Sequence, residues 1–292
     1  MRRRLLSHAA AAALALAALA VPPARAQGEE VPFITTPDNV TLAMLRLAGV
    51  TERDFVLDLG SGDGRIVITA ARRFGARGLG VEIVPDLVER SRVNAIKASV
   101  ADKVEFRVQD LFATPLSVAS VITMYLLPEV NLALRPKLLE LAPGTRLVSH
   151  DWDMGDWQPD ETVTLEVPDK PVGREKLSRV HRWTVPARVE GLWCARVDDG
   201  IARLALQQRY QMVQAQLTVA HADGRETRTD LAGRLSGTAL AGGVAGQAGA
   251  PDHHWQWQVR AGLPVLAPTA LPETLQPWRS ALFAPEWTGR CR

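Results

Sequence analysis

A glycine-rich loop between a predicted strand and a predicted helix carries the clearest chemical signal in the sequence. The predicted strand at 55–59 leads into Gly60, Gly62 and Gly64, and the predicted helix begins at Arg65. Glycine at alternate positions lets the backbone pass close to a ligand without a Cβ clash, and the first N–H groups of a helix attract negative charge. The loop therefore predicts a site for a small anionic cofactor.

The spacing of these glycines argues against one common cofactor. A dinucleotide-binding loop has its third glycine three residues after the second. In this sequence Arg65 occupies that place, and the third glycine comes one residue earlier, at Gly64. The spacing therefore disfavours an NAD-dependent dehydrogenase.

Two acidic residues follow the next two predicted strands. Glu82 lies 24 residues after Asp58 and ends the second strand, where a carboxylate can accept hydrogen bonds from both hydroxyls of a ribose. Asp110 ends the third strand, where a carboxylate can accept from an adenine amino group while Leu111 packs against the ring. A single acidic residue at a strand end more often has a structural role than a binding role. Their order at successive strand ends predicts a nucleoside site.

The elements that position these residues alternate between strand and helix from residue 31 to about residue 187. Such alternation is typical of an α/β fold with a mostly parallel, Rossmann-like sheet covered on both faces. Helices are predicted at 41–48, 65–74, 85–98 and 129–141, and strands at 55–59, 78–82, 104–108, 120–126 and 145–151. The segments 162–167 and 179–185 are predicted to close the sheet as an antiparallel pair.

After Pro186 the pattern changes, and residues 188–292 are predicted to form a small β-rich C-terminal domain. Short runs of alternating polar and apolar residues replace the helical pattern. Asp223-Gly224 predicts a hairpin turn, because glycine accepts the positive φ that such a turn needs. A small barrel or a sandwich is the expected architecture, with the glycine- and alanine-rich stretch at 242–251 as a flexible loop.

The first 26 residues predict a secretory signal that is cleaved after Ala26. Arginines at 2–4 precede an apolar run at 9–21, and Ala24-Arg25-Ala26 offers small residues at the cleavage site. The apolar run is shorter than the roughly 20 residues that span a bilayer, so no membrane span is expected after cleavage. Cleavage changes the formal net charge from +2 to about −2, and no basic run remains. The expected protein is exported, periplasmic and without a nucleic-acid partner.

The two cysteines of the chain, Cys194 and Cys291, leave two alternatives open. In an oxidising compartment they can form one bridge between the start of the second domain and the chain end. Alternatively, Cys194 is a buried free thiol beside Trp193, and Cys291 stays unpaired on a frayed tail.

The segment 149–156 contains the residue types of two other sites, neither of which is predicted. Ser149, His150 and Asp151 are the residue types of a hydrolase triad, but neighbours on a strand point to opposite faces. Asp151, Asp153 and Asp156 lack the glycine and the distal glutamate of a calcium loop. Neither a triad nor a metal site is therefore expected.

Together these features resemble the class I, seven-strand methyltransferases that use S-adenosylmethionine, over residues 31–187. Motif I of that family is matched by the segment 58–64, its ribose acid by Glu82 and its adenine-side acid by Asp110. The resemblance implies transfer of a methyl group by in-line displacement, for which positioning matters more than a dedicated base. It implies that these residues bind S-adenosylmethionine: Asp58, Gly60, Ser61, Gly62, Asp63, Gly64, Glu82, Asp110 and Leu111.

Further segments are similar to those of the archaeal and mitochondrial protein-lysine methyltransferases. They are the pairs 32–33 and 36–37, ahead of the fold, and the segment 125–131 after the fourth strand. In that group the latter segment borders the methyl-accepting pocket, and the resemblance would place Tyr125 and Pro128 beside the sulfonium. As the alternative, both are packing residues at a strand end.

The function expected from the resemblance is methyl transfer from S-adenosylmethionine to a protein, with lysine as the implied acceptor, or to a small molecule. A lysine must first lose its proton, because its pKa is about 10.4, and a channel lined by Tyr125, Trp152 and Trp157 would favour that loss. The signal and the domain at 188–292 distinguish the chain from that group. They leave an alternative, an exported binding or assembly module on a methyltransferase scaffold with little or no catalysis.

Overall fold

The computed structural model describes residues 34–170, 175–197, 200–244, 254–260, 265–271, 275, 281–289 and 291. The predicted signal at 1–26, the pair 32–33 and most of the predicted loop at 242–251 lie outside these residues. Within the described parts of the chain, each helix is too short or too polar to cross a membrane.

The first sheet contains seven strands, which are β1 (Phe55–Leu59), β2 (Arg77–Glu82), β3 (Val104–Val108), β4 (Val121–Met124), β5 (Arg146–His150), β6 (Glu161–Glu166) and β7 (Leu177–Thr184). Their order is β3-β2-β1-β4-β5-β7-β6. Strand β7 pairs antiparallel with β5 and β6, whereas the other neighbours are parallel. The predicted α/β fold with a Rossmann-like seven-stranded sheet is confirmed, including its antiparallel closing pair.

Four helices cover this sheet, α1 (Asp38–Leu47), α2 (Arg65–Phe74), α3 (Pro85–Lys97) and α4 (Pro128–Leu138). Val56 of β1 packs with residues of α1 and α2, while its neighbour Leu57 packs with Leu134 and Leu138 of α4. Because neighbouring strand residues point to opposite faces, β1 is buried on both sides, which explains its continuous apolar run. Helices α3 and α4 each begin with a proline, which suits the first helical turn because it needs no N–H donor there.

The second sheet is antiparallel and contains eight strands, β8 (Gly191–Val197), β9 (Gly200–Arg209), β10 (Met212–His221), β11 (Glu226–Ser236), β12 (Ala239–Val244), β13 (His254–Arg260), β14 (Val265–Ala270) and β15 (Ala284–Pro285). Their order is β14-β13-β12-β11-β10-β9-β8-β15. Leu266 of β14 and Phe283, next to β15, exchange two backbone hydrogen bonds of 2.9 and 3.0 Å. These bonds join the two edges, so the predicted β-rich part is a closed barrel rather than a sandwich.

The barrel interior is filled by apolar side chains at alternate strand positions, and the indole of Trp255 is among the largest of them. A Cβ at Gly233 or Gly242 would come within 2.5 or 2.6 Å of that ring. The glycines therefore make room for the indole. The prediction of a loop beginning at Gly242 was wrong for Gly242 to Val244, which belong to β12. Gly242 is needed there because a larger residue would clash with Trp255, and not because the chain turns.

Cys194 and Cys291 form a disulfide, with their Cα atoms 5.2 Å apart. Cys194 lies in β8 and is fully buried, and Cys291 is the penultimate residue of the chain. The structure therefore contains the disulfide, which was one of the two alternatives predicted for these cysteines. It connects the first barrel strand to the segment that follows the last one.

Candidate functional site

The glycine loop after β1 lies at the edge of the first sheet where the parallel strands end. The backbone N–H groups of Gly60 and Ser61 both donate to the carbonyl oxygen of Val81 in β2, at 2.9 Å. Gly60, Gly62 and Gly64 have φ angles of +73°, +54° and +79°, a region that other residues rarely adopt. The loop conformation therefore depends on these three glycines, and the N-terminus of α2 follows directly.

Glu82 is half-buried at the end of β2, and its carboxylate is directed to the glycine loop rather than into the core. One oxygen, Oε2, accepts a hydrogen bond from the N–H of Gly62 at 3.0 Å. The other, Oε1, accepts from the N–H groups of Ile83 and Val84 at 2.8 and 3.1 Å. A carboxylate has about four acceptor sites, and three are used here, so Glu82 is pre-oriented to receive a ligand hydroxyl on Oε2.

Asp58 ends β1 almost fully buried, and Thr123 of β4 donates a hydrogen bond of 2.6 Å to its Oδ1. Burial raises the pKa of Asp58 to about 7, and the negative charges of Glu82 and Asp63 act in the same direction, against the Thr123 hydrogen bond. A cationic group bound at this edge would favour the ionised form. Asp58 is therefore poised to respond to the charge of a ligand.

The side chain of Asp63 is engaged within the protein, whereas the Oγ of Ser61 is buried without a hydrogen-bond partner among the described residues. Arg65 donates from Nε and Nη2 to the two carboxylate oxygens of Asp63, at 2.9 and 2.7 Å. Ser61 is buried with its Oγ facing Gly80, where a Cβ would approach it to 2.6 Å. These two positions can therefore serve a ligand mainly through their backbone.

Arg65 has a role that sequence reasoning missed. Its Nη1 donates to the carbonyl oxygen of Thr36 at 2.9 Å, while the rest of the guanidinium holds Asp63. The segment ahead of α1 is thereby tied to the glycine loop. The only sequence signal for this contact is an acid two residues before an arginine at a helix start, which is too common to be diagnostic.

Asp110 and Leu111 lie beyond the end of β3. Asp110 is exposed, and its Oδ1 accepts a hydrogen bond of 2.8 Å from the N–H of Phe112. Asp110 thereby caps the short 3₁₀ turn Leu111–Ala113. Leu111 is half-buried and packs on the core cluster beneath the sheet. The structure therefore brings Asp110, like Glu82, to the same edge as the glycine loop, with its carboxylate outside the core.

Tyr125 and Pro128 lie beyond the end of β4, on the other side of the glycine loop from β2. Both are half-buried, and Pro128 is the first residue of α4. The ring of Tyr125 packs against the ring of His150 in a tilted arrangement, with ring centroids 3.9 Å apart and an interplanar angle of 33°. Burial, and then the charge of Asp151, raise the pKa of the Tyr125 hydroxyl. This residue is therefore a neutral aromatic surface.

The expected aromatic lining is only partly present. Trp152, in the loop after β5, has 44% of its surface exposed at this edge. Trp157 is 1% exposed and packs between Trp183 and Tyr210, at centroid distances of 6.1 and 5.9 Å. The prediction that Trp157 lines a channel was wrong, because the second sheet covers it, and no pattern in the sequence links residues 157 and 210.

Among the residues of the rejected triad and metal cluster, His150 Nε2 lies 3.5 Å from Asp151 Oδ2, and the others have separate partners. Ser149 accepts a hydrogen bond from Asn131 at 3.2 Å, and Asp151 forms an ion pair with Lys170 at 2.7 Å. Asp153 accepts from the N–H of Gly155 at 2.9 Å. Each side chain is thus accounted for by structure alone.

His150, a second residue that sequence reasoning missed, is fully buried behind Tyr125. Its Nε2 is 2.9 Å from Ser178 Oγ, and its Nδ1 is 3.4 Å from Thr36 Oγ1. Burial lowers its pKa to about 4, although Asp151 acts in the opposite direction. The imidazole is therefore neutral at physiological pH and supports the Tyr125 ring through packing.

Replacing His150 with glutamine should remove part of the pH dependence of stability. The folded-state pKa of about 4 lies below the ordinary 6.5, so between these values only the unfolded chain takes up the proton. Stability from the neutral imidazole is present above pH 6.5 and is lost as the pH falls toward 4. The free energy of unfolding, measured in urea, should fall between pH 7.5 and pH 5 in both proteins. The fall should be about 2 kcal/mol larger in the wild type than in the variant. If the wild type and His150→Gln lose the same free energy of unfolding, His150 is not the group responsible. The same holds if His254→Gln, at an exposed histidine of β13, differs from the wild type as much as His150→Gln does.

The methyltransferase-like part of the chain matches known proteins. Residues 58–161 match the family model of the ANTKMT methyltransferase domain. The chain is 42% identical over 138 residues to a protein-lysine N-methyltransferase of Saccharolobus islandicus (strain REY15A), covering 47% of this chain and 86% of that protein. It is 39% identical over 106 residues to the adenine nucleotide translocase lysine N-methyltransferase of Mus musculus, covering 36% of this chain and 46% of that protein. The chain thus spans about half the length of the mammalian relatives that it matches.

A solved structure shares a larger identity with the chain. It is an RNA methyltransferase from Salinibacter ruber in complex with S-adenosyl-L-homocysteine, and the identity is 55%. The match covers 53% of this chain and 96% of that chain, with a TM-score of 0.49.

Proposed function

This chain belongs to the class I S-adenosylmethionine-dependent methyltransferases, in the group of the protein-lysine N-methyltransferases, and we propose that it methylates lysine side chains of a protein. One arrangement carries the proposal. The glycine loop, the Glu82 carboxylate held by the N–H of Gly62, and the Tyr125 ring lie at the ends of three neighbouring strands. A nucleoside bound by the glycine loop and Glu82 would place its reactive end toward the Tyr125 ring.

S-adenosylmethionine is the cofactor of this family, and when bound it supplies an activated methyl group. The residues of this chain fit it, because Glu82 keeps free acceptor capacity at the loop and Asp110 is exposed at the next strand end. We propose that Glu82 binds the ribose, that Asp110 and Leu111 bind the adenine, and that Asp58 and the backbone of 60–64 bind the remainder.

The surroundings of Tyr125 favour a cationic acceptor such as lysine. Glu129 and Asp153 are exposed and follow the ends of β4 and β5, so two carboxylates form an acidic rim on this side of the sheet edge. Such a rim attracts a lysine side chain. The half-buried Tyr125 can then take the place of water around the amine and lower its pKa. We assign Tyr125 and Pro128 to the wall of that acceptor pocket.

Transfer of tritium from S-adenosylmethionine to protein tests the proposal. The acceptors are the envelope and cytosolic proteins of the source organism, assayed separately, and acid hydrolysis should place the label in methyl-lysine. Tyr125→Ala should lower transfer about tenfold while the affinity for S-adenosylhomocysteine stays within about threefold, because the ring contacts the acceptor side only. Ile96→Ala, at an exposed apolar residue near the C-terminus of α3, is the matched control. Label in total RNA instead of protein would overturn the lysine assignment.

The alternative of a non-catalytic binding module is not supported. The family is one of enzymes, and each predicted cofactor position of this chain keeps a residue able to serve. The β barrel, which distinguishes the chain in that alternative, is compatible with catalysis because its hydrogen bonds are made to the β5–β6 loop, away from the residues of the glycine loop.

We propose in addition that the protein is exported to the periplasm. Two observations support this location, the signal predicted at 1–26 and the Cys194–Cys291 disulfide, a bond that persists in oxidising compartments. Fractionation of the source cells should recover the protein outside the cytoplasm with Gln27 as its first residue. Recovery from the cytosol with an intact N-terminus would refute export and leave the enzymatic proposal untouched.

A further inference from the structure

The loop between β5 and β6, residues 151–160, borders the proposed acceptor pocket. Asp151 follows His150, whose ring supports Tyr125, and Trp152 is exposed at the same edge. The Nδ2 of Asn131, in α4, donates to the carbonyl oxygens of Trp152 and Asp153 at 3.2 and 3.3 Å. The first half of this β5–β6 loop is therefore held by the methyltransferase sheet and its helix.

The second half of the β5–β6 loop is held by the barrel, at the turn between β9 and β10. Asp156 accepts hydrogen bonds from Arg209 Nη2 and from the hydroxyl of Tyr210, both at 3.0 Å. It also pairs with Arg135 of α4 at 2.5 Å. These three donors lower the pKa of Asp156 to about 2, with Arg209 contributing most. One carboxylate thus joins the loop, α4 and the barrel.

Three further contacts extend this junction. The Nε2 of Gln211, which is 2% exposed, donates to the carbonyl oxygen of Gln158 at 2.6 Å. Arg234 of β11 pairs with Asp160 at 2.6 Å. The ring of Tyr210 stacks on Trp157 with an interplanar angle of 18°. Polar, ionic and aromatic contacts therefore all fix the same short segment.

Tyr210 lies in a tight hairpin turn. Arg209 pairs with Met212, so Tyr210 and Gln211 form a two-residue turn, which needs a positive φ at its first position. Tyr210 has a φ of +54°, although this is rare for an aromatic residue. The turn brings the ring of Tyr210 to Trp157 and its hydroxyl to Asp156, while the guanidinium carbon of Arg135 lies over the ring at 5.7 Å from its centroid.

We infer that the barrel is a positioning element of the acceptor site, in which Arg209, Tyr210 and Gln211 hold the β5–β6 loop so that Trp152 and the pocket wall stay in place. The inference rests on the proposed function. It gives the second domain a role in acceptor use rather than in cofactor binding, because the glycine loop, Glu82 and Asp110 contact none of these three residues.

Hydrogen exchange and methyl transfer together test this role, with Tyr210→Ala as the main variant. Amides of 152–160 should exchange about tenfold faster than in the wild type, while those of 58–64 stay unchanged. Transfer to envelope proteins should fall about tenfold, through a higher half-saturating acceptor concentration, with the affinity for S-adenosylhomocysteine unaltered. Tyr210→Phe, which keeps the ring stacked on Trp157, should recover most of the transfer.

Two further variants guard against a fold defect. Asp156→Ala removes the same junction without changing the barrel, and its effect should not add to that of Tyr210→Ala in the double variant. Arg228→Ala, which breaks an exposed ion pair at the opposite end of the β10–β11 hairpin, should match the wild type. Unchanged exchange at 152–160, or equal losses of cofactor affinity and transfer, would overturn the inference. A wild type that binds cofactor but transfers no methyl group refutes the proposed function instead, and the exchange result still decides whether the barrel holds the loop.

Discussion

Glu82→Ala should weaken the binding of S-adenosylhomocysteine about 10- to 100-fold, which is the loss of one hydrogen bond to a charged acceptor at roughly 1.5–3 kcal/mol. The carboxylate is already oriented by the N–H groups of Gly62, Ile83 and Val84, so little is lost in ordering it when a ribose binds. Isothermal titration calorimetry of the purified protein measures the change.

Two companion variants separate cofactor binding from a fold defect. Glu82→Gln keeps the shape and one acceptor oxygen, and it should bind about tenfold more weakly than the wild type. Glu105→Ala removes an exposed carboxylate of β3, the strand next to β2, that pairs with Arg107 of the same strand. The affinity of this variant for S-adenosylhomocysteine should equal that of the wild type. If Glu82→Ala keeps its secondary structure and binds as tightly as Glu105→Ala, the ribose assignment is wrong.

Removal of the disulfide by the double substitution Cys194→Ala and Cys291→Ala should lower the free energy of unfolding of the barrel by about 3 kcal/mol. The bridge closes a loop with a sequence separation of 97 residues, which restricts the unfolded chain strongly. Alanine suits the fully buried position 194, so the change reports mainly on the lost bridge. Urea unfolding without reductant measures it.

Reductant provides the matched control for the disulfide. Dithiothreitol should bring the wild type close to the stability of the double variant and should leave the variant itself unchanged. A wild type that is insensitive to reductant at urea concentrations that unfold the barrel would show that the bridge does not restrain the unfolded chain. Alkylation of thiols in intact cells before lysis also reports whether the bridge forms in the compartment that the protein occupies.

The first sheet was predictable because its signals are local. Strands β1 and β3 and helix α2 were predicted at their observed bounds, since β1 is a buried apolar run, β3 alternates apolar and charged residues as an edge strand does, and a glycine marks each end of α2. The order of Asp58, Glu82 and Asp110 along the chain sufficed to place all three at one edge, because the ends of successive parallel strands meet there.

Other features depended on contacts between residues distant in the chain. Trp157 was predicted for the channel, yet Tyr210 of the barrel covers it, and His150 supports Tyr125 from a neighbouring strand. The closure of the barrel between Leu266 and Phe283 and the pairing of Cys194 with Cys291 are also long-range.

The physical difference lies in the range of the interactions. Apolar periodicity, glycine conformation and strand order are properties of short segments, so the sequence indicated the family and the residues that we propose bind the cofactor. Packing between the barrel and the β5–β6 loop joins segments more than 50 residues apart, as in the bond from Tyr210 to Asp156. Neither segment carries a pattern that identifies the other, so only the folded chain shows that the barrel holds this loop.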